Sequence, residues 1–293
     1  MPPLKLLCLH GYTQSGPLFH AKSRAVIKHL TKTLLPTTGY TITTTYPTGP
    51  IHLLPSDIPG YEPSTTQGGS TTTSDDTPTE AYGWFRRSST ANPPLYTDLH
   101  LGLETIANVI KTEGPFDGVV GFSQGAAMAA IVAALLEPGR EEVMGRFAKE
   151  GSVFEENGEN VKGFEVPSAW WECVRSVGQG ELKFAVCYSG FRAPGPRYSG
   201  FYEGGVKTPV LHVLGSLDAV VDEGRSRALV EVTDAVDVEG RVVVHPGGHF
   251  VPAQRPYLDA VVGFVRGVLG DGNVAGGKKE KEEVDVNEME LPF

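Results

Sequence analysis

The sequence lacks long apolar runs. None approaches the roughly 18 residues that a membrane-spanning helix requires, so no membrane span is expected. The opening "MPPLKLLCLHGYTQSG" resembles a leader only superficially. Its apolar stretch covers residues 4–9 and runs straight into a glycine-bearing loop, so it reads as a first strand. Cysteine is scarce: Cys8, Cys173 and Cys187 are the three in 293 residues. An odd, low count excludes a disulfide framework and fits a reducing compartment, so a cytoplasmic location is expected, with the nucleus also open. Cys8 and Cys187 sit in apolar runs and read as small buried hydrophobes.

Basic clusters are missing as well. The formal net charge is −10, and no Lys/Arg run offsets it, which disfavours nucleic acid and anionic membranes as partners. The eight histidines and three cysteines show no metal-ligand spacing. Neither a P-loop nor a dinucleotide-binding glycine fingerprint occurs. No metal and no cofactor are expected.

What remains is a chain with 40% hydrophobic and 20% charged residues, in the range of a globular protein with a sizeable core. Residues 4–9 form a continuous apolar run, as in a strand buried on both faces of a parallel sheet. A polar loop (10–16) and a helix (about 21–34) follow, then a β-branched strand (40–46). Residues 36–80 hold seven prolines and fourteen threonines, a composition that predicts a long loop after Pro47. Apolar residues at 99, 103, 106 and 110 mark a helix with Asp98 as its N-cap. Strands are expected at 116–122, 182–191, 209–218 and 241–249, and helices at 126–136, 226–233 and 257–269. Strands alternating with helices predict an α/β fold: a mostly parallel, doubly wound sheet flanked by helices on both faces. Residues 137–181 are charged and less regular, and read as an insertion. From Asp271 onward seven acids face three lysines, an acidic tail expected to be disordered. The expected division is therefore a domain over 1–269, with insertions at about 50–80 and 137–181, and a tail over 270–293.

The chemistry concentrates in "GFSQG", residues 121–125, a G-x-S-x-G pattern between a predicted strand and a predicted helix. Such a turn admits only small residues at its flanks and lifts a serine hydroxyl to the carboxyl edge of the sheet. The start of the next helix then directs free N–H groups at the same point. Ser123 is the candidate nucleophile. A serine nucleophile needs a base and a carboxylate to orient it. Asp218, at the end of the predicted strand "PVLHVLGSLD", and His249, after "RVVVHPGG", both fall on that edge, 31 residues apart. Asp222, one helical turn on, and His245 are rivals for the same roles; His212 lies within a strand and reads as core. The backbone N–H groups of Tyr12 and Gln124 are the candidate oxyanion donors. Trp84, Phe85, Trp170 and Trp171 are candidates for an apolar acyl pocket, with plain packing as the alternative. The insertion at 137–181 is a candidate lid.

These segments together ("LCLHGYTQSG", "GPFDGVVGFSQGAAMA", "KFAVCYSGF", "PVLHVLGSLDAVV" and "HPGGHFVP") resemble the fungal FSH-type serine hydrolases, a compact branch of the α/β-hydrolase superfamily that also includes the human ovarian-cancer-associated homologue. The resemblance spans residues 4 to about 267. It implies an α/β-hydrolase fold with Ser123 as nucleophile, Asp218 as acid and His249 as base. It also implies small ester or acyl thioester substrates, among them chains held on an acyl carrier in polyketide synthesis. The Thr/Pro tract and the 137–181 insertion are longer than the compact pattern. A non-catalytic hydrolase-fold protein that binds a small acyl ligand is the alternative from another class.

Overall fold

The computed structural model describes residues 3–58, 80–149, 153–156, 159–235 and 238–270. Six strands make one sheet: β1 (Leu4–Leu9), β2 (Ile42–Thr45), β3 (Gly118–Phe122), β4 (Phe184–Tyr188), β5 (Val210–Gly215) and β6 (Val242–His245). Their order is β6-β5-β4-β3-β1-β2, and every pairing is parallel.

Side chains that alternate along a strand point to opposite faces, and here both faces are cores. Leu4, Leu6 and Cys8 of β1, Val120 and Phe122 of β3, and Phe184 and Val186 of β4 enter one core. Leu7, Leu9, Val119, Ala185 and Cys187 enter the other. Helices α1 (Gly16–Thr38) and α7 (Arg255–Val268) cover the first face. Helices α2 (Leu99–Glu113) and α3 (Gln124–Leu135) cover the second. The sheet is thus doubly wound, and the near-continuous apolar runs of its strands follow from burial on both sides. Cys8 and Cys187 are buried free thiols, each pushed up to about 12 by burial.

The caps of α1 and α2 differ from expectation. α1 begins at Gly16 rather than near residue 21, because Ser15 Oγ accepts from the Leu18 N–H at 3.4 Å and Pro17 sits in the first turn. Asp98 precedes α2 as predicted, but it is left-handed (φ 63°) and its side chain makes no capping bond. It faces Arg86 at 3.4 Å instead.

The 137–181 segment holds α4 (Arg140–Ala148), a two-stranded hairpin (Val153–Glu156 with Glu159–Lys162) and α5 (Ser168–Ser176). It is anchored as scaffold. Arg140 is buried, pairs with Glu137 at 2.7 Å, and donates to the carbonyls of Ala134, Gly200, Glu203 and Gly205. α5 packs on α2, and Trp170 shares the second core with Leu103, Ile106 and Ile110. α5 fills the helical layer of that face, and no described residue of 137–181 lines either of the cavities described at Ser123 below. In the Thr/Pro tract, Ile51–His52 pairs antiparallel with Tyr82–Gly83. Residues 59–79 of the tract and 271–293 of the expected tail lie outside the described residues.

Candidate active site

The strand order reverses direction at β1 and β3: β2 lies outside β1, while β4, β5 and β6 follow on the far side of β3. Parallel sheets open a crevice at the carboxyl ends of the strands flanking such a switch point. Ser123 stands there, directly after β3. Its backbone is in the left-handed half of conformational space (φ 54°, ψ −118°), a cost that persists only where surroundings over-determine it. They do so here. The Ser123 N–H donates to Tyr188 O at 2.8 Å, and Ser123 O accepts from the N–H groups of Ala126 and Ala127. A Cβ on Gly121 would run into the Gly125 carbonyl, and one on Gly125 into the carbonyls of Leu9 and His10. The two glycines let the turn close against β1.

His249 joins this serine to Asp218. Its Nε2 lies 2.9 Å from Ser123 Oγ and its Nδ1 2.7 Å from Asp218 Oδ2. An ionised carboxylate only accepts, so Nδ1 carries the proton and Nε2 is left to accept from the serine hydroxyl. The other carboxylate oxygen, Oδ1, accepts from the Val220 and Val221 N–H groups, both at 2.9 Å. Burial pushes the Asp218 pKa up, but the hydrogen bonds from His249 and the Val221 amide outweigh it and hold the carboxyl below its ordinary value. The imidazole also packs on Phe122, with ring centroids 4.7 Å apart.

The rivals have other partners. Asp222 Oδ1 accepts from the Arg225 N–H at 3.0 Å and caps α6 (Glu223–Val230). His245 Nδ1 accepts from the Gly247 N–H at 3.2 Å, and its ring packs against Phe250 and Tyr257. His212 is 1% exposed and bonds Thr233 at 3.0 Å.

The aromatic candidates separate. Phe85 lines a cavity of about 290 Å³ that also borders Ser123 and Gln124. Trp84 is fully buried and lines no cavity at Ser123 among the described residues; its indole N–H donates to His10 O at 2.9 Å, so it braces the loop after β1. Trp170 is fully buried in the α2–α5 layer and Trp171 packs beside it, so neither reaches the site. A second cavity, about 530 Å³, borders Ser123 and His249 and is lined by Tyr12, Gln14, Ile58, Phe250 and Val251. Both volumes lie near or within the range of small-molecule sites. Gln124 is the first residue of α3, where a helix leaves its N–H without an intrahelical partner. Tyr12 lines both cavities.

The sequence reading missed the Gln124 side chain. Its Oε1 accepts from the Trp84 N–H and its Nε2 donates to Phe85 O, each at 2.7 Å. A buried glutamine beside the serine was the available signal. His10 belongs to the same brace: Gly49 N–H donates to its Nε2 at 2.8 Å and its Nδ1 donates to Gly11 O at 2.7 Å. Burial lowers this imidazole to about 4, so it stays neutral. Among the described residues no group of three or more His, Cys, Asp or Glu side chains is placed to hold a metal, and no helix is long and apolar enough to cross a membrane.

Comparison with known proteins places the chain in a family. A Schizosaccharomyces pombe protein named dihydrofolate reductase is 32% identical over 90% of this chain, and the match spans 47% of that longer protein. The esterase OVCA2 of Danio rerio is 30% identical, with 90% of this chain and 97% of the relative covered. The crystal structure of Arabidopsis thaliana SOBER1 superposes with a TM-score of 0.50 at 17% identity, covering 92% of this chain and all of that one, and shares the fold. The profile of the serine hydrolase (FSH1) family matches residues 1–261, and the chain belongs to that family.

Proposed function

We propose that this protein hydrolyses carboxylic esters or acyl thioesters through an acyl-enzyme on Ser123. The observation that carries the reading is the continuous hydrogen-bond chain from Ser123 Oγ through His249 to Asp218, standing at the mouth of two cavities. The esterase name of the Danio rerio relative points the same way.

The steps follow from the atoms. Ser123 Oγ attacks the acyl carbon while its proton passes to His249 Nε2. Asp218 holds the Nδ1 proton and stabilises the imidazolium. The N–H groups of Tyr12 and Gln124 receive the carbonyl oxygen as it becomes negative; one such donor is worth about 2.7–4 kcal/mol in the transition state. The alcohol or thiol leaves with the proton from Nε2. Water then gives a proton to Nε2 as it attacks the acyl-enzyme, and that proton passes to Ser123 Oγ as the acid is released. Chains carried as thioesters on an acyl carrier, including polyketide chains in secondary metabolism, fall within this class. Three buried, unbridged cysteines fit a cytoplasmic or nuclear setting.

The test is turnover by the wild-type protein of p-nitrophenyl esters and acyl thioesters of graded chain length. Saturable hydrolysis of either set is the expected result. Stoichiometric ligand capture without turnover would favour a hydrolase-fold binding protein.

A further inference from the structure

The sequence has no basic run, yet the fold gathers two arginines at the cavity of the serine and a third in the cavity next to it. The cavity that borders Ser123, Gln124 and Phe85 also borders Arg87 and Arg225. A further cavity, about 590 Å³, shares Arg87, Arg225 and Tyr96 with it and adds Arg192. The two cavities therefore adjoin at Arg87, Tyr96 and Arg225, and we read them as one groove that runs from Ser123 to three guanidinium groups.

These cations are left without counter-charges. Among the described residues, no carboxylate pairs with the guanidinium of Arg87, Arg192 or Arg225. The neighbouring arginines show the contrast: Arg86 takes Asp57 and Asp98, and Arg227 takes Glu223. Asp57 also lines the inner cavity, but it already faces Arg86 at 3.5 Å. In a chain of net charge −10, carboxylates are plentiful, so three unpaired guanidiniums on one groove stand out.

They are also held in place. Arg225 lies over the Phe191 ring at 4.4 Å from its centroid, with a long 3.4 Å contact to Val220 O. Arg192 lies over Tyr202 at 5.3 Å. A guanidinium held over an aromatic face keeps its N–H edges free, and those edges match the oxygens of a carboxylate or phosphate. Arg87 extends from the short antiparallel pairing of Arg86–Arg87 with Tyr96–Thr97, whose Tyr96 is buried in the groove wall. Mutual repulsion of three like charges is relieved when an anion enters.

We propose that the substrate carries an anionic group, carboxylate or phosphate, away from the scissile acyl bond, and that Arg87, Arg192 and Arg225 bind it. The proposal rests on the assignment of Ser123 as the nucleophile, since the groove is read outward from that atom. The anion has two chemical sources. A carboxylate can end the acyl chain, as in the monoester of a dicarboxylic acid. Phosphates can lie on the leaving group, as in a coenzyme A thioester.

Two measurements test it. The first compares kcat/KM for mono-p-nitrophenyl glutarate against p-nitrophenyl butyrate, and for butyryl coenzyme A against the butyryl thioester of N-acetylcysteamine. In Arg192→Gln and Arg225→Gln the anionic-to-neutral ratio should fall about tenfold in at least one pair, the size expected for losing a charged hydrogen bond. Whichever pair responds identifies the source. The second is independent of turnover: Ser123→Ala protein should bind free glutarate or free coenzyme A with an affinity that weakens with added salt, and by about tenfold when Arg225→Gln is added. Unchanged ratios in both pairs, with binding of both anions insensitive to the arginines, would overturn the anion site while leaving the hydrolase intact. Arginine-dependent binding in a wild-type protein that hydrolyses no substrate would uphold the anion site and overturn the hydrolase reading instead.

Discussion

The side-chain amide of Gln124 is hydrogen-bonded to the backbone N–H of Trp84 at 2.7 Å, and through its other end to the Phe85 carbonyl at the same distance. The residue that follows Ser123 thus fixes the link between the short strands Tyr82–Gly83 and Arg86–Arg87, and Phe85 of that link walls the cavity. The Trp84 indole continues the tie to His10 O, and His10 to Gly49.

Replacing Gln124 by Leu should leave the Trp84 N–H and Phe85 C=O buried without partners, at about 1–3 kcal/mol each. Urea denaturation should show a loss of that order, and ester hydrolysis should fall together with it. Gln124→Glu keeps an acceptor for Trp84 but sets a carboxylate oxygen against the Phe85 carbonyl, so it should also be impaired. Wild-type stability in both variants would show that the brace carries no weight.

The two neighbouring acids should behave differently. Asp218→Asn removes the acceptor that fixes the His249 tautomer, and the comparable change in a serine protease lowers kcat by about 10⁴. Asp222→Ala removes the cap of α6 and should cost about 1 kcal/mol of stability with little change in kcat. Steady-state kinetics and thermal melts on both variants separate the roles; equal losses of kcat would contradict the assignment.

Trp170→Ala should destabilise the fold by about 3–5 kcal/mol, as for other buried aromatics, without selecting between short and long acyl chains. Phe85→Ala, at the wall of the smaller cavity, should change the chain-length preference. A series of p-nitrophenyl esters checks both, and a chain-length effect confined to Trp170→Ala would return the 137–181 segment to the site.

How far the sequence reaches is visible in these residues. The convergence of Ser123, Asp218 and His249 was legible because each lies just beyond a strand end, where the local pattern and the geometry of parallel sheets coincide. The parallel sheet was legible from its apolar runs, and the stripe at 99, 103, 106 and 110 does face the core. The functions of Trp84 and Trp170 were not legible, since an aromatic side chain serves a core or a pocket with the same composition. The Gln124 brace and the arginine groove join residues 39 and more than 100 positions apart, and no periodicity reports such pairings. The start of α1 was missed for a local reason, the Ser15 cap being read as part of the loop.

Acid should destabilise the protein before any carboxylate titrates. Burial lowers His10 to about 4 and His212 to about 3, and lowers His245 as well. Each folded-state value lies below the unfolded value of about 6.5, so the unfolded chain takes up these protons first. Stability should change little between about pH 7 and 8 and fall as pH drops from about 6.5 toward 4, by about 1.4 kcal/mol per pH unit for each histidine fully engaged. Asp218, depressed in the fold, adds a further loss only below about pH 4. Urea unfolding at pH 7, 6 and 5 measures the slope, and His212→Asn should reduce it by about one proton. A flat profile between pH 7 and 5 would contradict the neutral, buried state of these rings.

The central claim is that Ser123 is an activated nucleophile, and covalent labelling tests it most directly. Wild-type protein treated with a fluorophosphonate should gain one adduct in intact mass, mapped by peptide sequencing to Ser123. His249→Ala should slow that labelling by orders of magnitude, and Ser123→Ala, with an unchanged thermal melt, should abolish it. Labelling that persists in folded Ser123→Ala protein, or a wild-type protein that takes up no label, would contradict the account.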